Sequence, residues 1–295
     1  MKLALSIGYS GPTLQVPIEL IQHAERLGFH SVWTAEAYGS DAITPLAWIA
    51  ARTERIRLGT GIMQLAGRTP AMCAMQCMTV DALAGGKRMI AGLGVSGPQI
   101  VEGWYGQPWG RPYWRLRDYI QIMRKIFERK EPVTHEGREI SLPYTGPGSV
   151  GLGKPLRSIL HGDPELPIWM GSGKEATVKL TAELCDGWLP MHFVPGRMAE
   201  YRPWLEEGFA RARAAGRDKG WHNFEIFAGV AVRITDDVAG ALAAQKPGIA
   251  LYVGGMGARE VNFHDEHMRR MGYAEAAERI QELFLAGRKE ERAAA

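Results

Sequence analysis

Apolar and polar positions along the chain fall into blocks that switch between a strand period of two and a helix period near 3.6. KLALSIGYS, residues 2–10, is a short apolar strand, and PIELIQHAERLGF sets Ile18, Ile21, Ala24 and Leu27 on one helical stripe closed by Gly28. The same β-then-α unit recurs. SVWTAEA (31–37) precedes the helix of DAITPLAWIAART, IRLGTGIMQ (56–64) precedes that of TPAMCAMQCMTVDALAGG, and RMIAGLGV (88–95) is a fourth strand. After an interruption over 99–165, PIWMGSG (167–173), KEATVKLTAELCD, GWLPMHF (187–193), a charged helix ending near Gly216 and FEIFAGVAVRI (224–234) resume the alternation.

Strict βα repetition with strands apolar on both faces predicts an all-parallel sheet covered by helices. A doubly wound sheet would gather its functional residues at one switch point, whereas a TIM (β/α)8 barrel spreads them over all its strand ends. Polar or glycine clusters stand at Ser6–Ser10, Thr34–Tyr38, Thr60–Gln64, Gly94–Gln99, Gly171–Lys174 and Met191–His192, which favours the barrel. Seven βα units are clear. The eighth is either supplied by IALYVGG (249–255) or incomplete or missing; DDVAGALAAQ before it and EAAERIQELFLAGRKEERAAA after it read as helices. The interruption carries a helix (YWRLRDYIQIMRKIFERK), a two-stranded excursion (HEGREISLPY) and a glycine-rich loop (YTGPGSVGLGKP), with too few apolar residues for a core of its own. It is expected to lie over the barrel mouth, as an insertion in a single domain spanning 1–295.

The 295 residues are 46% hydrophobic with a formal charge of +3, and no basic stretch is interleaved with aromatics, so nucleic acid is not an expected partner. No run approaches a membrane span and no leader pattern opens the chain, so a soluble cytoplasmic protein is expected. Cys73, Cys77 and Cys185 read as packed thiols, and the stripe of Met72, Met75 and Met78 as core packing. HDEH at His264–His267 lacks a third ligand and reads as a solvated helix face, so no metal site is expected.

Gly92, Gly94 and Gly97 spell G-x-G-x-x-G directly after a strand. A dinucleotide site would also need a helix, a second strand and an acid at that strand's end. Asp118 has the spacing but lies inside the helical stripe of Trp114, Arg117, Ile120, Met123 and Ile126, which excludes that reading.

LGFHSVWTAEA, RIRLGTGIMQ, RMIAGLGVSG, IWMGSG and AELCDGWLP together resemble the bacterial-luciferase-like flavin monooxygenase superfamily, and WTAEAYGSDA is most similar to its members that use the deazaflavin coenzyme F420. The resemblance implies a TIM barrel with an insertion after strand four and a hydride-transferring oxidoreductase acting on a small, largely apolar substrate. Coenzyme F420 is the implied cofactor; FMN-dependent monooxygenation and non-catalytic flavin binding are the alternatives. A homodimer or higher homo-oligomer is implied as well.

Carried over by position, the cofactor ring lies against a non-prolyl cis peptide at Gly61-Ile62, with Gln64 at the same strand end. The phosphate meets Gly171, Ser172, Gly173 and Lys174, a glycine-rich turn into a helix that is also the best anion site on physical grounds. Gly94, thin enough for close approach, Ser96 and Gly97 border the cofactor chain. Glu36 stands where the family presents an acid followed by histidine; here Ala37 replaces the histidine, so Glu36, His192 and Tyr38 are the candidate catalytic groups, with Tyr9 and Asp41 as further proton donors. Trp33, Trp48, Trp104, Trp109 and Met191 are expected to wall the substrate pocket.

Overall fold

The computed structural model describes residues 1–255 and 262–288. They gather into two compact units, one of residues 1–95 with 109–229, the other of 96–108 with 230 onward. In chain order the elements are β1 (Ala4–Gly8), α1 (Ile18–Arg26), β2 (Ser31–Thr34), α2 (Ile43–Ala50), β3 (Arg57–Thr60), β4 (Met63–Gln64), α3 (Pro70–Leu83) and β5 (Met89–Gly94). Then come α4 (Pro98–Gly103), α5 (Pro112–Glu128), β6 (His135–Glu136), β7 (Ser141–Leu142), β8 (Ile168–Ser172), α6 (Glu175–Leu184), β9 (Gly187–Pro190), α7 (Met198–Ala214) and β10 (Glu225–Ile226). Four helices follow: α8 (Val238–Ala243), α9 (Lys246–Gly255), α10 (Phe263–Arg270) and α11 (Ala274–Leu285).

In the first unit the main sheet runs β1-β2-β3-β5-β8-β9-β10, with β4 also on β5, and every pairing is parallel. Spatial order follows chain order without reversal. The sheet is therefore wound in one direction, as in a barrel, and has no switch point. It also curls: Trp33 on β2 stacks on Phe227 just past β10 with ring centroids 4.7 Å apart, and Lys2 and Arg57 both pair with Glu225. The result is a half-barrel whose strands β2 and β5 are buried along their whole length, as a helix-covered parallel sheet requires.

The eighth strand is the point of difference. IALYVGG lies in α9: Pro247 stands in its first turn, and the buried Ala250, Val253 and Gly254 follow an i, i+3, i+4 spacing that only a helix puts on one face. Phe284 of α11 packs so close to Gly254 and Gly255 that a Cβ added there would lie 2.7 Å from the Phe284 Cβ and 2.1 Å from its ring, respectively. No strand follows β10 among the described residues. The seventh strand is also shorter than its pattern predicts, because only Glu225 and Ile226 find a partner and Val230, Val232 and Ile234 stay exposed.

The interruption contains the expected helix α5 and the β6–β7 hairpin. Asp118, buried in α5, ties them together: its carboxylate accepts N–H bonds from Glu139 (2.7 Å) and Ile140 (3.0 Å) and lies 3.2 Å from the His135 ring. All three thiols are free and buried, and burial pushes Cys185 up to about 12. Of the methionine stripe only Met78 is core; Met72 and Met75 are exposed. The HDEH reading also needs correction. In the second unit α10 packs against α9 and α11, which buries Asp265 and His267; Arg269 and Arg270 partner them, at 2.5 and 2.7 Å.

Carboxylates also fasten the loops that enter the strands. Asp81 accepts the backbone N–H groups of Lys87, Arg88 and Met89, and Glu25 those of Glu54, Arg55 and Ile56. Asp186 joins β8 to its surroundings by accepting Ile168 N–H at 2.8 Å and pairing with Arg124 and Lys219. Burial alone would raise its pKa, but the two cations and the N–H bond hold it below the usual carboxylate value. A carboxylate depressed in the folded state stabilises above its unfolded pKa and loses that contribution as pH falls through the folded value. Thermal melts should therefore weaken below about pH 4. Asp186→Asn should flatten that acid limb and lower the melting temperature at pH 7 by roughly 2–4 °C or more.

Candidate functional site

The carboxyl ends of the strands in the first unit hold most of the candidate residues. Between β3 and β4 the strand carries a bulge: Gly59 pairs with Ile90 and Met63 with Leu93, so it advances one residue more than β5 does. Thr60 fills the gap, its hydroxyl donating to Gly92 O (2.9 Å) and accepting from Gly92 N–H (2.8 Å). The Gly61-Ile62 bond inside this bulge is cis, and Gly61 is exposed. Gly61 N–H is held by Thr34 O at 2.6 Å.

The glycines around the bulge do something other than the sequence pattern implied. A Cβ at Gly94 would lie 2.8 Å from the Ile62 side chain, and one at Gly171 would lie 3.0 Å from it. Two neighbouring strands thus lack side chains where Ile62 is seated. Gly94 is thin to admit Ile62, which corrects the expectation that a cofactor occupies that space.

Glu36 needs a second correction. Its carboxylate is buried and saturated: Oε1 accepts Gln64 N–H (2.6 Å) and Arg68 Nη1 (2.7 Å), while Oε2 accepts Ala42 N–H (3.1 Å) and Arg68 Nη2 (2.8 Å). A carboxylate engaged by a bidentate guanidinium and two amides is a structural anchor, not a proton carrier. Burial opposes the charge on Arg68, but Glu36 outweighs it and holds the guanidinium pKa above its ordinary value. Gln64 contributes its backbone to this anchor, and its side-chain amide lies 3.4 Å from Glu36 O. Asp41 is likewise committed, capping α2 through Ile43 and Thr44 N–H at 2.8 Å each.

Tyr9 and Tyr38 are exposed on two loops joined by reciprocal bonds, Ser10 N–H to Ser40 Oγ and Ser40 N–H to Ser10 Oγ, both 3.0 Å. His192 follows β9 in a left-handed conformation (φ 48°), and desolvation lowers its pKa, favouring neutral imidazole at pH 7. Met191 beside it is half-buried near Gly173.

The turn from β8 into α6 keeps part of its expected role. Lys174 is the exposed N-cap residue, and its side chain has no acceptor with which to cap the first-turn amides of α6. That leaves a helix N-terminus with a cation beside it, the donor chemistry a phosphate requires. Ser172 does not join it, because its buried hydroxyl bonds Thr181 Oγ1 at 2.9 Å behind the sheet. Ser96 (φ 69°) and Gly97, the N-cap of α4, belong to the second unit.

The aromatic expectations largely fail. Trp33 is buried inside the curl beside Trp169, lying flat where Gly59 has no Cβ to obstruct it. Trp48 stands on the outer face of α2 under Arg52, and Trp104 is exposed in the second unit. Arg68 is the residue that sequence reasoning misses; a buried acid at a strand end demands a cation, and Arg68, shortly after that bulge, supplies it.

A one-way parallel half-barrel with a bulge and a glycine-rich turn at the carboxyl ends of its strands defines a class of α/β proteins. The model of the luciferase-like monooxygenase family matches residues 3–295. The chain belongs to that family. It is 50% identical over 295 residues to a Mycobacterium tuberculosis protein whose name assigns it by inference to the coenzyme F420-dependent oxidoreductases, covering 99% of this chain and 84% of the relative. A 5,10-methylenetetrahydromethanopterin reductase of Methanolobus tindarius is 29% identical over 244 residues, 81% of this chain and 69% of the relative. The structure of the coenzyme F420-dependent tetrahydromethanopterin reductase from Methanopyrus kandleri superposes with a TM-score of 0.75 at 24% identity, covering 99% and 82% of the two chains, and establishes the shared fold.

The seat of Ile62 is open to a double-mutant test. Gly94→Ala should cost about 1–3 kcal/mol by crowding Ile62. Ile62→Ala in the same chain should recover most of that loss in urea melts, while simple addition of the two penalties would refute the seat.

Proposed function

We propose that the protein is a coenzyme F420-dependent oxidoreductase that moves a hydride between the deazaflavin ring and a small, largely apolar organic substrate. The observation that carries this reading is the exposed bulge at Gly61-Ile62 on the sheet's carboxyl edge. A relative half identical over almost the whole chain and named for the same cofactor supports it. The bound deazaflavin supplies the hydride-carrying ring. The chain's own residues bind and orient. Gly61 and Ile62 would back the ring, and the α6 amides with Lys174 would hold its phosphate. With Glu36 saturated, His192 is the group that holds or moves a proton at its imidazole, and Tyr38 is the next candidate.

Titration with F420 and with FMN tests the assignment: saturable F420 binding with substrate-dependent turnover is expected, and tight FMN binding without F420 affinity overturns it. Lys174→Ala should weaken F420 binding about tenfold, the loss of one charge-assisted contact. His192→Phe should lower kcat with F420 affinity retained.

The working form is proposed to be a homo-oligomer, because α2 and α3 are apolar on nearly all sides and leave Trp48, Met72, Met75 and Leu83 exposed. Light scattering should give a mass of at least two chains, and Met72→Glu with Met75→Glu should reduce it. Among the described residues no helix is long and apolar enough to cross a membrane, and the three free thiols fit a reducing compartment, so the cytoplasm is the proposed location.

A further inference from the structure

The Glu36–Arg68 pair is buried, with side chains only 3% and 9% exposed, yet it stands one hydrogen bond from the bulge. Both ends of that bulge are fastened to the end of β2 and the residues just after it. Gly61 N–H bonds Thr34 O at 2.6 Å, and Gln64 N–H bonds Glu36 Oε1 at 2.6 Å. The second anchor exists only while the Glu36 carboxylate is aimed at Gln64. Two amides alone leave a buried carboxylate undercompensated; the Arg68 fork supplies the missing charge and fixes the plane of both oxygens.

Arg68 is itself held from outside. The Tyr119 hydroxyl of α5 reaches Arg68 O at 3.1 Å and Thr69 O at 3.3 Å, and Thr69 caps α3 through Met72 N–H. This locks the backbone on which the guanidinium is mounted. A chain of contacts therefore runs from α5 through Tyr119 and Arg68 to Glu36 and the peptide two residues from Ile62.

We infer that Arg68 is a positioning residue for the deazaflavin: it holds the Glu36 carboxylate in one orientation, so that the Gly61-Ile62 peptide presents one fixed surface to the ring, and Tyr119 holds Arg68 in place. The inference rests on the F420 reading. Lysine is not an equivalent, since a single ammonium cannot address both carboxylate oxygens in plane. A merely stabilising pair would change the melting temperature and leave the ring's environment untouched; a positioning pair changes affinity and spectrum in protein that is still folded.

The test uses the full chain with Arg68→Gln, Arg68→Lys, Glu36→Gln, Tyr119→Phe and the double variant Glu36→Gln/Arg68→Gln. Each is checked for a cooperative melt and then titrated with F420 while the cofactor's absorption and fluorescence are followed. Arg68→Gln should raise the Kd about tenfold or more and lose the spectral change that wild type produces, with Arg68→Lys intermediate and Tyr119→Phe milder. The double variant should bind no worse than Arg68→Gln, because the two side chains act as one unit. A folded Arg68→Gln with wild-type Kd and spectrum overturns the inference. If that variant does not fold, an unchanged Arg68→Lys overturns it instead. Wild-type protein that binds no F420 overturns the cofactor reading and this inference together.

Discussion

A carboxylate buried at the end of a strand must be neutralised where it stands, and the upper edge of this half-barrel is arranged around that requirement at Glu36. Two backbone amides and the forked guanidinium of Arg68 meet it, each from a different part of the chain: Ala42 before α2, Gln64 on β4, and Arg68 before α3. One side chain thereby ties the β2–α2 connection to the β3–α3 connection. The bulge that carries the open Gly61-Ile62 peptide lies in the second of them, so the surface proposed to face the cofactor inherits its placement from an ion pair that never touches it.

Glycines serve the same edge by omission. In a curled parallel sheet the inward side chains converge, and the large ones fit only where a neighbouring strand has no Cβ. Gly59 leaves room for Trp33, Gly187 for Trp169, and Gly94 with Gly171 for Ile62; a Cβ would stand 2.4 Å from each indole. The G-x-G-x-x-G pattern is thus a record of side-chain packing. Its first glycine belongs to the Thr60 contact, its second to Ile62, and its third to the cap of α4.

Most of the fold was legible in the chain because a parallel βα repeat writes itself twice, as apolar strands and as amphipathic helices of the expected lengths. The failures have particular causes. IALYVGG is equally apolar as strand or helix, and its packing on Phe284 decided for the helix. FEIFAGVAVRI has the alternation of a strand, but a ladder needs a partner and only two of its residues have one. HDEH looks solvated in one dimension, but its Asp265 and His267 become buried once α9 and α11 flank them.

At the site the division is similar. The sequence by itself determined the backbone devices: the glycine-rich turn ahead of Lys174, the bulge-forming glycines of β3, and an acid at the end of β2, all set by local conformational preference and by spacing within one segment. Tertiary structure alone decided what the side chains do. Glu36 turned from a proton carrier into an anchor because Arg68, 32 residues away in the chain, closes on it. Ser172 turned away from the phosphate position because Thr181 lies behind it, and Gly94 received Ile62 because β4 and β5 pair in one register. A hydrogen bond or a steric seat belongs to two residues at once, and their meeting is fixed only when the sheet curls.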